Sequence, residues 1–153
     1  MSVCSLPRSR EKVAATLPPG PEPRIAQCVQ RLLCSSRTPY VFHERRRECR
    51  HPYPYPVRLI PMAEDGTSLA EQTIVVLGKH VSNHGLDFYC SQPLPFRRVV
   101  ACFECGHGPQ VRLLLDLTWC RFCQHGWYEN GGRFLQAVGT GSWGGAQRVV
   151  PRA

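Results

Sequence analysis

Four arginines crowd into six positions of the segment HERRRECR, residues 43–50: Arg45, Arg46, Arg47 and Arg50. Arg46 and Arg50 form an RxxxR pair on a stretch without strand alternation that runs into proline. Guanidinium groups on a short arm fork onto phosphate oxygens and stack over purine faces. A solvated basic linker or a nucleic-acid patch has the same composition, so the cluster alone leaves three chemistries open. The rest of the chain shares the bias. Arginine supplies 17 of the 19 basic residues, and the formal net charge is +8. Such charge favours anionic partners (nucleotides, nucleic acid or anionic lipid) and says nothing about fold. Arginine suits planar, bidentate phosphate recognition in particular, although biased codon usage raises it equally.

A second group lies in KHVSNHGL, residues 79–86, between two strand-like stretches. Ser82 offers a short hydroxyl there, and Gly85 permits the positive φ of a tight connection. The third group is sulfur. Cys102 and Cys105, then Cys120 and Cys123, make two C-x-x-C pairs with fourteen residues between them. That is close to the spacing of a four-thiolate zinc ribbon. Both pairs lie on or beside apolar stretches, however, and residues i and i+3 of a regular strand face opposite sides. Cysteines acting as small core hydrophobes are the competing assignment, and no metal or cofactor is expected. Nothing marks an enzyme. No nucleophile sits in a recognisable signature, no phosphate-cradling glycine loop ends in Lys-Ser/Thr, and HExxH is absent.

Strands and turns have to position these groups. Residues 1–23 include LPPGPEP and carry too little apolar surface to fold, so they read as disordered. PRIAQCVQRLLCSS, residues 23–36, sets Ile25, Cys28, Val29, Leu32 and Leu33 at helical spacing. This predicts a short amphipathic helix around 24–35. From residue 52 the period becomes two. PYPVRLIPM, EQTIVVLGKH, GLDFYC, RRVVACFE, VRLLLDLTWCRF and GGRFLQAV read as six strands joined by Gly/Pro turns. That is the pattern of a small antiparallel barrel or sandwich. In the fifth stretch Val111, Leu113, Leu115, Leu117 and Trp119 share a face and Phe122 falls out of phase, so a β-bulge is expected near Trp119–Arg121. The glycine-rich residues 139–153 read as a flexible tail. The expected organisation is a leading segment with the helix over 1–40, a barrel over 41–138, and the tail.

The amino-terminal residues lack the apolar stretch of a signal peptide, and no window reaches the roughly 18 apolar residues of a membrane span. Without an export signal the nine cysteines are expected to be reduced thiols, and the location cytoplasmic.

An RxxxR arm, a strand, then a second strand ending in [Asp/Asn]-x-Ser-x-x-Gly inside a six-stranded barrel resembles the PilZ domain, a family that contains bacterial receptors for cyclic di-GMP. The resemblance covers about residues 43–138, through ERRRECR, VSNHGLDFY with the following PLP, and WYENGGRFL. It implies an all-β, six-stranded antiparallel barrel and a signalling module whose ligand is cyclic di-GMP and whose output goes to a protein partner. By position, Arg46 and Arg50 would wrap the ligand, neutralise its phosphates and cover a guanine face. Ser82 and Gly85 would meet it on the barrel, with Arg45 and Arg47 adding attraction. One position departs from the pattern: His80 stands where the family has Asp or Asn. A carboxylate accepts from both the ring N–H and the exocyclic amine of guanine, whereas neutral imidazole offers one acceptor and imidazolium none. Losing such a pair costs about 1–3 kcal/mol, which predicts weakened binding. The alternative readings are a zinc-ribbon-like domain on the four cysteines and a single-stranded nucleic-acid binder stacking bases on Tyr53, Tyr55 and Phe88. Nucleic acid is not the expected partner.

Overall fold

The two-residue hydrophobic period becomes a closed sheet in the computed structural model, which describes residues 23–35, 49–106 and 109–139. Expectations for residues 1–22, for Arg45, Arg46 and Arg47, and for the tail from residue 140 lie outside the described residues. Helix α1 spans Pro23–Ser35. Strands β1 to β7 span His51–Pro52, Pro56–Met62, Ile74–Val81, Gly85–Cys90, Arg98–Phe103, Val111–Phe122 and Tyr128–Ala137. Six of them follow the order β3-β2-β5-β6-β7-β4, and β4 pairs back onto β3 to close the ring. Every pairing is antiparallel. The short β1 adds to β3 beside the barrel, with His51 opposite Val81 and Pro52 opposite His80. The closed six-stranded antiparallel barrel implied by the resemblance to the PilZ domain is therefore the architecture observed.

Alternation in the sequence decides which side chains enter the barrel. In β4, Leu86, Phe88 and Cys90 are buried while Gly85, Asp87 and Tyr89 are half-exposed. One face meets the core and the other meets solvent. β5 is buried on both faces. Val99, Ala101 and Phe103 join the interior, whereas Val100 and Cys102 join Ile60, Met62 and Leu114 in a second cluster on the opposite side of the wall. Ile60, Val100 and Leu114 stand in one row across β2, β5 and β6. Helix α1 docks on the barrel against β6 and β7. Its Ile25, Val29 and Leu32 fall on one helical face and belong to the interior cluster. Arg31 anchors it further by donating to the Pro109 carbonyl oxygen at 3.0 Å.

Two boundaries differ from the sequence expectation. The last strand begins at Tyr128 and runs through Gly131 and Gly132 instead of starting behind them. Close approach explains this. A Cβ on Gly131 would stand 2.2 Å from Trp119 Nε1, and one on Gly132 would stand 2.6 Å from the Asp116 carbonyl oxygen. The register of β6 against β7 shifts between Leu117 and Trp119, one turn of the pleat ahead of the expected bulge, and also between Leu114 and Leu115.

At the hairpin end of β6 and β7, one carboxylate ties three strands. Glu129 of β7 is buried and accepts hydrogen bonds from Lys79 of β3 and Arg121 of β6. Lys79 Nζ also lies 5.3 Å from the centroid of the Tyr89 ring on β4. Burial pushes the Glu129 carboxyl up, but the bonds from Lys79 and Arg121 outweigh burial and hold it below its ordinary value.

Two outcomes follow from this packing. Leu32→Ala leaves a cavity between helix and barrel and should lower stability by about 2–5 kcal/mol in urea unfolding. Because the folded Glu129 carboxyl is depressed, its contribution is fully present above the unfolded value near 4.5 and is lost as pH falls through the folded value. Glu129→Gln should therefore lower stability at neutral pH and flatten the acid limb of the stability–pH curve. An unchanged acid limb would show that the carboxylate does not hold these strands.

Candidate functional site

The β3–β4 connection is held by one serine. Ser82 N donates to the Gly85 carbonyl oxygen at 3.0 Å, and Ser82 Oγ accepts from the backbone N–H groups of His84 at 3.1 Å and Gly85 at 3.2 Å. A hydroxyl that accepts twice keeps its own proton as the remaining donor. Gly85 serves the connection differently from the sequence expectation. Among the described residues the positive-φ positions are Gly66, Gly126 and His125, so Gly85 is not held there by a left-handed backbone. A Cβ on Gly85 would instead stand 2.0 Å from the Gly132 carbonyl oxygen on β7. The glycine lets two strands close together.

His80 of β3 faces Asp87 of β4 in register. His80 Nδ1 is 4.0 Å from Asp87 Oδ2, and Arg50 Nη1 reaches the same oxygen at 3.1 Å. Burial pushes the Asp87 carboxyl above its ordinary value, and the Arg50 and His80 charges pull against that shift. Arg50 immediately precedes β1, and β1 pairs with β3 at His80 and Val81. The short strand thereby brings the end of the arginine arm over the serine connection.

Arg50, His80, Ser82 and Gly85 line one cleft of about 240 Å³ together with Asp87, Trp119 and Arg133. The described members of the sequence-derived site thus meet at one place. Sequence reasoning missed Asp87, Trp119 and Arg133. The half-exposed position of Asp87 was visible in the alternation of GLDFYC, but the reach of Arg50 to it, from 37 residues away, was not. Trp119 reaches the cleft from β6 and lies over the Gly131 backbone, with 40% of its surface exposed.

The competing readings fare differently. Cys102 stands opposite Arg112 near the start of β6, while Cys120 lies eight residues further along that strand. At about 3.3 Å per residue the two pairs are roughly 26 Å apart, so four thiolates do not share one ion. Cys102 is 2% exposed, and burial pushes its thiol up. Among the described residues no group of three or more His, Cys, Asp or Glu side chains is placed to hold a metal. Tyr53 and Phe88 are buried, so they offer no open stacking surface. The Tyr53 ring packs edge-on against Tyr55 and Phe103, and burial raises its hydroxyl to about 12. No helix among the described residues is long and apolar enough to cross a membrane.

No protein-family model matches the chain, and no curated protein matches it either. A solved structure of the Bacillus subtilis inhibitor of motility, MotI/DgrA, is similar at 16% identity with a TM-score of 0.46, over 63% of this chain and 45% of the other. The chain therefore spans less than half the length of that protein.

Gly85→Ala tests the close approach on which the cleft depends. The added methyl group must separate β4 from β7, at a cost of about 1–3 kcal/mol. Thermal unfolding should register that loss. Wild-type stability in the variant would show that the strands tolerate separation.

Proposed function

We propose that this chain is a PilZ-like binding module that takes cyclic di-GMP and passes the signal to a protein partner in the bacterial cytoplasm, without catalysis, cofactor or resident metal. The observation that supports the reading is the meeting of Arg50, His80, Ser82 and Gly85 in a single cleft. RxxxR and the serine–glycine motif are some thirty residues apart in sequence, and nothing local forces them together.

The chemistry of the cleft suits a nucleotide. Arg50 and Arg133 supply forked donors for phosphate oxygens. Ser82 has a hydroxyl proton to donate. The cleft is smaller than the roughly 300–1,000 Å³ of ordinary ligand pockets, so it fits part of a cyclic dinucleotide, and Arg46 with its neighbours would cover the remainder. Arg50 exchanges its Asp87 partner for a ligand phosphate in this mechanism. That exchange ties ligand binding to the position of the arm, and the arm carries the signal to the partner.

Isothermal calorimetry with cyclic di-GMP at moderate salt tests the reading. The wild type should bind, and Arg50→Ala should weaken binding about 10- to 150-fold, the equivalent of a lost charge-assisted hydrogen bond. Arg46→Ala/Arg50→Ala should abolish measurable heat. Absence of heat from the wild type at high protein concentration would overturn the proposal. Salt-sensitive binding to random single-stranded DNA, without response to the dinucleotide, would replace it.

A further inference from the structure

We infer that Asp87 and Trp119 form a guanine-reading subsite in this cleft, with the carboxylate of Asp87 doing the work that the motif position occupied by His80 cannot do. The inference rests on the cyclic di-GMP reading and assigns the base contacts within it. Among the described residues that line the cleft, Asp87 carries the only carboxylate. It sits on β4 directly opposite His80 on β3, so a carboxylate enters the cleft from the neighbouring strand at the level of the motif's first position. Its direction is fixed by its partners. Oδ2 lies 3.1 Å from Arg50 Nη1 and 4.0 Å from His80 Nδ1, and both of those side chains line the cleft.

Base identity follows from donor and acceptor patterns. Ionised carboxylate only accepts. The Watson–Crick edge of guanine presents two adjacent donors, N1–H and the exocyclic amine, and matches it. Adenine presents one donor beside an acceptor and does not. Hypoxanthine keeps the ring N–H and lacks the amine, so it retains half of the pair. When Arg50 turns to a ligand phosphate, Asp87 is released to accept from the base. Both halves of the free-state ion pair then find complementary partners on one ligand.

Trp119 supplies the stacking surface. It is held against β7 because Gly131 has no side chain to lift it. At 40% exposure it still offers apolar area for a base to cover. Base–aromatic stacking is tolerant of base identity, so Trp119 should contribute affinity and Asp87 should contribute discrimination.

The test compares cyclic di-GMP with its inosine counterpart, cyclic di-IMP, by calorimetry on the wild type and three variants. The wild type should prefer guanine by roughly 5- to 150-fold, the range of one unsatisfied hydrogen bond. Asp87→Asn should reduce that ratio to near one, whereas Trp119→Leu should weaken both ligands and leave the ratio in place. His80→Asp should fail to tighten binding, because it sets a second carboxylate against Asp87. An undiminished ratio in Asp87→Asn, or markedly tighter binding in His80→Asp, would overturn the inference while leaving the ligand reading intact. A wild type that binds neither dinucleotide would overturn both. The ratio is insensitive to a partial loss of folded protein, so a destabilised variant still decides the question.

Discussion

The pairing of β4 back onto β3 is the constraint on which the rest of the molecule depends. Without it the sheet would have two free edges and its interior face would open to water. With it, His80 and Asp87 stand opposite one another, and Ser82 and Gly85 are drawn into the connection between the two strands. The serine hydroxyl satisfies two backbone donors there, so the connection needs no left-handed residue. The same ladder that closes the barrel therefore builds one wall of the cleft.

The cleft also depends on residues that lack side chains. Gly85 and Gly132 let β4 and β7 approach, and Gly131 lets the Trp119 indole lie against the strand. Each glycine removes volume where two backbones or a backbone and a ring compete for it. Gly85 and Gly132 themselves line the cleft, and Trp119, packed on Gly131, lines it too. The charge of the cleft is mixed, with Arg50 and Arg133 beside the half-buried carboxylate of Asp87. That balance differs from a plain basic patch. Uniform positive charge attracts any polyanion, whereas an acceptor-only group among donors selects ligands that carry donors of their own.

The ionic contacts divide by environment. Glu129 is buried and held by two cations, so it stays charged and binds strands together. Asp87 is raised by burial and only partly compensated by Arg50 and His80. A carboxyl perturbed by burial beside specific charges in a cleft is a candidate for a functional contact. Similar carboxylates on neighbouring strands thus differ in how completely each is compensated.

Local rules made much of the molecule legible in the sequence. Period-two alternation located the strands from Pro56 to Ala137, helical spacing located Pro23–Ser35, and the Ser82–Gly85 spacing marked the connection that forms part of the cleft. These features rest on interactions between residues a few positions apart. Strand register does not. Across the barrel it couples positions far apart in the chain, so only the folded sheet could bring Arg50 to Asp87, carry Trp119 and Arg133 into the same cleft, and set Cys102 opposite the start of β6 while Cys120 lies near its end. Alternation also leaves open which partner covers each face, and for that reason Tyr53 and Phe88, candidates for an exposed stacking surface, were claimed by the core. Residue type and spacing determined the elements; the geometry of closure decided which chemistries meet.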